Sequence, residues 1–399
     1  MDYLVYLIGF LICFASLCRR DLVLAMAVFA ALLPCYIVRF SIGPLPSTAL
    51  EGMALILIAS YAWHYRHKPQ LGRFFYAGLA LTLAALLASI LSPEMRAAFG
   101  IWRAYFLEPL LLYIIAINVL RTPADWNKLY RGLGCAVFGL TLIAIYQYAT
   151  GQFLPTWEWT TWATRRATGV YTSPNSLGLF VVPIVLWALG QRRDRFDIAV
   201  VSAGTVCVLL AWSKGALLAL CIGALILFWG QVSKRLVIIL TALFASLIIF
   251  IPGIRQATID LATLQTPSGQ SRLALYRGSW ELIKQHPLAG TGLAHFGTAF
   301  ESVRPETFTE KLIYPHNIFL NFWLETGLLG LIALLSLIAC IIRVVWMQRH
   351  NPEVLALGVA LLAMLIHGLV DVPYFKNDLA MLTWLLLAAL STSTTTKPA

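Results

Sequence analysis

Apolar runs separated by charged or Pro/Gly-rich breaks set the outline of this chain. They fall near 2–18, 22–39, 48–64, 74–92, 104–120, 131–149, 176–190, 197–212, 215–230, 236–252, 317–342, 353–370 and 378–391. Most approach the ~20 residues that an α-helix needs to cross about 30 Å of hydrocarbon, so the pattern predicts an all-α, polytopic helical membrane protein with about 12–13 transmembrane helices. The stretch 197–230 is too long for one span. Its only polar break, Ser213-Lys214-Gly215, predicts a tight hairpin. One long break, 253–316, predicts a large loop with short amphipathic helices, inserted in a single membrane domain over 1–399.

Composition sharpens this. Of 399 residues 60% are apolar and 12% charged, against about a quarter charged in soluble domains, which excludes a soluble globular protein. Cys13, Cys18, Cys35, Cys135, Cys207, Cys221 and Cys340 all lie in apolar runs, so neither a disulfide framework nor a zinc site is expected. Met1 to Cys18 lacks a basic start and a small-residue cleavage site and reads as a retained span. No G-x-G-x-x-G, P-loop or metal-holding D-x-D is present, which disfavours direct use of ATP or nucleotide-sugars. No cofactor and no metal are expected.

The net charge of +11 belongs to topology rather than to nucleic acid. Alternating sides puts sixteen of the 29 basic residues on one face, cytoplasmic by the positive-inside rule. Of the rest, six fall in the long loop. The other seven, Arg39, Arg96, Arg103, Arg165, Arg166, Lys214 and Lys376, lie in short outer segments and point to an anionic ligand there, with Arg39 and Lys376 also readable as cations reaching headgroups.

Several clusters carry candidate chemistry. Asn317 is placed to cap the helix that follows the long loop, which sets His316 at an electropositive helix N-terminus that disfavours the imidazolium and makes the ring a candidate general base. Asn317, Asn321 and Glu325 then share one helical face; the competing reading is an interfacial histidine above interhelical polar contacts. Within 271–284, Leu273, Tyr276, Trp280 and Ile283 keep helical period, as in an amphipathic helix resting on the membrane surface. Arg272 and Arg277 diverge on it, so at most one faces a given ligand. The turn His286 to Gly292 offers backbone N–H groups to an anion. Arg165, Arg166 and the Pro174-Asn175 helix entry sit beside the membrane, and Lys214 sits in the hairpin. His367 and Asp371, one turn apart, pair with each other or orient a polar substrate, and Glu108 is expected to pair with Arg103.

Arg166-Ala167-Thr168-Gly169 with Ser173-Pro174-Asn175, Ser213-Lys214-Gly215, Arg272 with His286 to Gly292, His316-Asn317 with Glu325, Gly327 and Gly330, and His367, Asp371 and Pro373 occur in that order. Together they resemble the O-antigen ligase and O-antigen polymerase superfamily of bacterial inner-membrane glycosyltransferases. The resemblance implies a multi-pass inner-membrane enzyme with a periplasmic active site. Its donor would be a polyprenyl (undecaprenyl) diphosphate-linked glycan, and its acceptor a hydroxyl of lipid A-core, glycan or protein. Transfer would be inverting and independent of metal, in contact with membrane lipids but not nucleic acid. It assigns catalysis to His316, Arg272 and Lys214. Arg166, Asn175, Arg277, Asn317, Glu325, His367 and Asp371 are the expected substrate-binding set. Lys214 departs from the family's arginine, keeping the charge but losing the planar fork suited to phosphate. The alternative is a transporter or flippase for an anionic lipid-linked substrate, which also places cations near broken helices. A structural scaffold leaves the polar stripe and outer arginines without a purpose.

Overall fold

The computed structural model describes residues 2–42, 45–65, 67–191, 194–229, 267–305 and 313–393. The helices are α1 (Asp2–Arg20), α2 (Leu22–Ala31), α3 (Ala49–His64), α4 (Phe75–Leu91), α5 (Met95–Val119), α6 (Pro123–Thr150), α7 (Pro174–Gln191), α8 (Arg195–Ala211), α9 (Lys214–Phe228), α10 (Pro267–Gln285), α11 (Phe296–Phe300), α12 (Ile318–Met347), α13 (Pro352–Gly368) and α14 (Asn377–Ser393). The protein is thus a mostly helical polytopic membrane protein. Of these, α5, α6, α7 and α12 are long and apolar enough to cross a membrane by length and composition. The expected span 236–252 and the first part of the long loop lie outside the described residues, as do Arg255 and Lys311.

Segment 22–39 is not one helix. α2 stops at Ala31, and a tight turn over Leu33–Ile37 follows, with Pro34 at its start. Proline lacks the N–H that would continue the ladder. Ten residues rise only about 15 Å, half a bilayer. The chain then forms a two-stranded hairpin, Arg39–Ile42 with Leu45–Thr48, paired Arg39 to Thr48 and Phe40 to Ser47. Thr48 accepts from the Glu51 N–H and so caps α3.

α7 and α14 are buried almost all round, as expected of helices that are apolar on every face. α7 packs against α8, α9 and α13, and α14 against α5 and α13. Inside α5, Arg103–Leu107 form a wider π turn. In a regular helix residues five apart diverge by about 140°. The wider turn brings Arg103 and Glu108 together, Nε 3.2 Å from Oε1. That expected pair is joined by Glu51, whose Oε2 is 2.5 Å from Arg103 Nη2 and whose Oε1 accepts from Asn377. Both carboxylates are nearly buried, so the arginine between them ties α3 to α5 where an unpaired charge costs several kcal/mol.

The expected surface helix is α10, and its buried face differs from the expected one. Leu275, Leu282 and Ile283 pack with Phe296, Phe300 and Leu324 of α11 and α12, while Trp280 is half exposed. α10 therefore rests on the protein's own second hydrophobic cluster.

Candidate functional site

The site assembles at one end of the bundle around residues 369–371, the turn that ends α13. Leu369 O accepts from the Tyr276 hydroxyl (2.9 Å) and from Asn317 Nδ2 (3.1 Å). Val370 O accepts from Arg272 Nε (3.2 Å). Asp371, 2% exposed, presents Oδ1 3.4 Å from His316 Nδ1. Two carbonyls and one carboxylate thus gather side chains from α10 and from the start of α12.

His316 sits where backbone geometry aims it. Its φ is +52°, the left-handed region, and Asn317 next to it is extended and caps α12, accepting from the N–H groups of Phe319 and Leu320. A non-glycine residue held there costs about 1–2 kcal/mol, so the turn is fixed by its surroundings. The Tyr276 hydroxyl reaches His316 O at 3.3 Å, and the Tyr314 ring meets the imidazole edge-on at 5.0 Å. The 3.4 Å approach to Asp371 is ion-pair range but lacks hydrogen-bond alignment, the looseness common before substrate binds. Burial alone would raise the Asp371 carboxyl; His316 beside it, with Lys376 and His367 nearby, outweighs burial and holds it well below the usual carboxylate range. Asp371 therefore engages His316 rather than forming the expected pair with His367.

A cationic side adjoins this dyad. Arg166 donates Nε to Ala211 O (3.1 Å), and burial, then the charge of Arg272, lower its pKa from the usual arginine value. Two guanidiniums close enough to repel, with no carboxylate in ion-pair range of either among the described residues, make a ready anion site. Lys214 opens α9 and is exposed. Its neighbour Ser213 caps α9 and donates to Asn175 Oδ1 (2.8 Å), which joins α9 to the entry of α7. Gly215 is required by contact: a Cβ there would lie 2.5 Å from His367 Cδ2. His367, 1% exposed, has neither ring nitrogen hydrogen-bonded among the described residues.

Several expectations come out differently. Arg277 is exposed, diverging from Arg272 as their spacing requires. Glu325, 4% exposed, accepts from the backbone N–H groups of Ala294 (2.5 Å) and Phe296 (3.2 Å), so it holds the loop before α11. Asn321, on the same stripe, is buried with neither amide atom hydrogen-bonded among the described residues. The turn 286–292 does not offer its N–H groups as a free nest. Gly290 N donates to His286 O, Thr291 N to Leu324 O, and Leu328 N to Leu288 O. α12 opens to receive this turn at Gly327, whose φ of +71° and lack of room for a Cβ, 2.6 Å from Leu288 O, both demand glycine. Lys376, readable as a ligand-facing cation or as one reaching headgroups, donates to the Ser176 hydroxyl. Tyr276 is the residue missed by sequence reading, because its helical period marked it as apolar surface while its hydroxyl reaches the turn.

A family model described as O-antigen ligase matches residues 198–335, a stretch that contains Lys214, Arg272, Arg277, His316, Asn317 and Glu325. Over 294 residues the chain is 25% identical to the O-antigen ligase of Salmonella typhimurium strain LT2, covering 67% of this chain and 69% of that protein. Over this stretch the chain is therefore similar to the O-antigen ligase family, an enzyme family of membrane glycosyltransferases.

Proposed function

We propose that this enzyme transfers a polyprenyl-diphosphate-linked glycan to an acceptor hydroxyl on the extracytoplasmic side of the bacterial inner membrane, by a single inverting displacement without metal. The observation that carries the proposal is that His316 and Arg272 meet adjoining residues of one turn, Asp371 and Val370, with the charge of Arg166 felt beside Arg272. With Nδ1 turned to Asp371, His316 presents Nε2 to the acceptor. Nε2 takes the hydroxyl proton as the acceptor oxygen bonds to the anomeric carbon, and the bond from that carbon to the diphosphate oxygen breaks. The departing diphosphate keeps the electron pair. Arg272 and Arg166, with Lys214 at the mouth, neutralise the charge that develops on it. Tyr276 and Asn317 hold the turn, while Asn175 and His367 position the α9 entry. Arg277 faces away and takes no part in this step. The basic-residue distribution supports the side assignment, with 253–316 as an insertion into one membrane domain over 1–399.

Reconstituted protein given lipid-linked glycan and a lipid A-core, glycan or protein acceptor should release free polyprenyl diphosphate and glycosylated acceptor, with EDTA present. Movement of intact lipid-linked glycan across the bilayer without transfer would replace this reading with the flippase one. The envelope of a deletion strain identifies the acceptor: bare lipid A-core with accumulated polymer marks a ligase, a single repeat a polymerase.

Arg272→Lys keeps the charge but loses the Nε–H bond to Val370 O and the planar fork. Transfer should fall about 10–100-fold in kcat/KM, the worth of one charge-assisted hydrogen bond. Wild-type rates in this variant would assign Arg272 to headgroups instead.

A further inference from the structure

A pocket of about 830 Å³ opens between the loop joining α6 to α7 and the α8–α9 hairpin, within the roughly 300–1,000 Å³ usual for small-ligand sites. Tyr148, Trp157, Trp159, Trp162 and Trp212 line it, together with Arg166. Trp157, Trp162 and Trp212 are 77%, 67% and 60% exposed. So much exposed indole in one concavity marks a binding surface.

The pocket is braced. Arg165 spends its guanidinium on the loop, donating Nη1 to Tyr148 O (2.9 Å) and Nη2 to Thr160 O (2.5 Å) while lying 5.2 Å over the Trp162 ring. Gly151, at φ +73°, leaves room for that guanidinium, since a Cβ would lie 2.7 Å from Arg165 Nη2. The Thr160 hydroxyl donates to Trp157 O. The loop that carries Trp157 and Trp162 is therefore held by its own contacts. Arg166 joins this pocket to the anion site: its guanidinium lies 5.7 Å from the Trp159 ring centre, its Nε holds Ala211 O, and its charge is felt with that of Arg272.

We propose that this pocket binds the saccharide of the lipid-linked donor, the sugars next to the diphosphate; the proposal rests on the glycan-transfer reading above. A pyranose ring offers a face of C–H groups that stacks on the electron-rich face of an indole, and hydroxyls at its rim that seek polar partners. The pocket supplies both, with the Glu158 carboxylate among its lining. A sugar bonded to a diphosphate held by Arg166 must lie within about one ring of that guanidinium, which itself lines the pocket beside Trp159. An acyl chain would gain nothing from the arginine and carboxylate, and indoles serving only as interfacial anchors need no braced concavity.

The test uses full-length protein in lipid nanodiscs and two probes: the oligosaccharide freed by mild acid from accumulated lipid-linked donor, and sugar-free undecaprenyl diphosphate. The oligosaccharide should quench tryptophan fluorescence saturably. The pair Trp157→Leu and Trp162→Leu keeps the apolar bulk and loses the stacking face. It should weaken oligosaccharide binding and raise KM for the donor about tenfold, with kcat and undecaprenyl diphosphate binding unchanged. Trp157→Phe with Trp162→Phe should restore most of the affinity. Saturable quenching absent from the wild type, or a leucine pair with wild-type KM, overturns the pocket while transfer stands. Quenching of these indoles by brominated lipid, undiminished by the oligosaccharide, also overturns it. Wild-type protein that binds no undecaprenyl diphosphate and transfers no glycan overturns the transfer reading itself.

Discussion

Replacing His316 by alanine should cut glycan transfer about 10²–10⁴-fold, the range for loss of a positioned general base, while the protein still inserts and folds. The side chain is 21% exposed and its close partners are Asp371 and the Tyr314 ring, so little buried area is lost. The backbone is the complication, because alanine tolerates a φ of +52° less well than histidine. His316→Asn separates the two effects: asparagine accepts the left-handed conformation and cannot take the acceptor's proton. Both variants should accumulate lipid-linked donor and lose product ladders, with thermal unfolding close to wild type in the asparagine one. Normal ladders in His316→Asn would remove the imidazole from the chemistry.

Much of this architecture is legible in the sequence, because hydrocarbon imposes its own length on apolar runs. Each expected span within the described residues begins or ends close to a helix, and the hairpin at Ser213-Lys214-Gly215 forms where an overlong run has to turn. Reading fails where a local signal competes with the run. Pro34 ends the second helix early, and the hairpin Arg39–Ile42 with Leu45–Thr48 takes the place of its last turns. It fails again where partners are remote. Helical period puts His367 and Asp371 on one face, but it does not reveal that the chain between them unwinds after Gly368 and turns the carboxylate toward a histidine 55 positions earlier. Glu325 reads as site acid from its stripe and is consumed by Ala294 and Phe296, because Gly327 opens the helix and admits the 286–292 turn. The chemistry-bearing types are visible in one dimension. Which of them serve the backbone depends on carbonyls and N–H groups that patterns of side chains do not record.

Asp371→Asn is the companion experiment, and its expected effect is nearly as large. Asparagine keeps the shape and can keep the bond from Val372 N–H to Oδ1 (2.8 Å), but it presents no charge to His316 Nδ1. In hydrolases with a similar carboxylate–imidazole pair, the same exchange costs up to about 10⁴ in turnover through loss of tautomer and of imidazolium stabilisation. A loss of about 10²–10⁴-fold in kcat is therefore expected here, with KM for the donor little changed because the arginines are intact. Stability gives an independent readout. The Asp371 carboxyl is depressed in the folded protein, so its stabilising contribution is present above the unfolded value near 4 and is lost as pH falls through the lower folded value. The gap in unfolding temperature between wild type and Asp371→Asn should therefore be constant at neutral pH and close below about pH 4. The double variant decides the role. A residue that acts through His316 adds nothing once the imidazole is gone, so His316→Ala with Asp371→Asn should be no slower than His316→Ala alone. A double variant slowed by the product of the two single factors would put the Asp371 carboxylate on the substrate itself and dissolve the dyad.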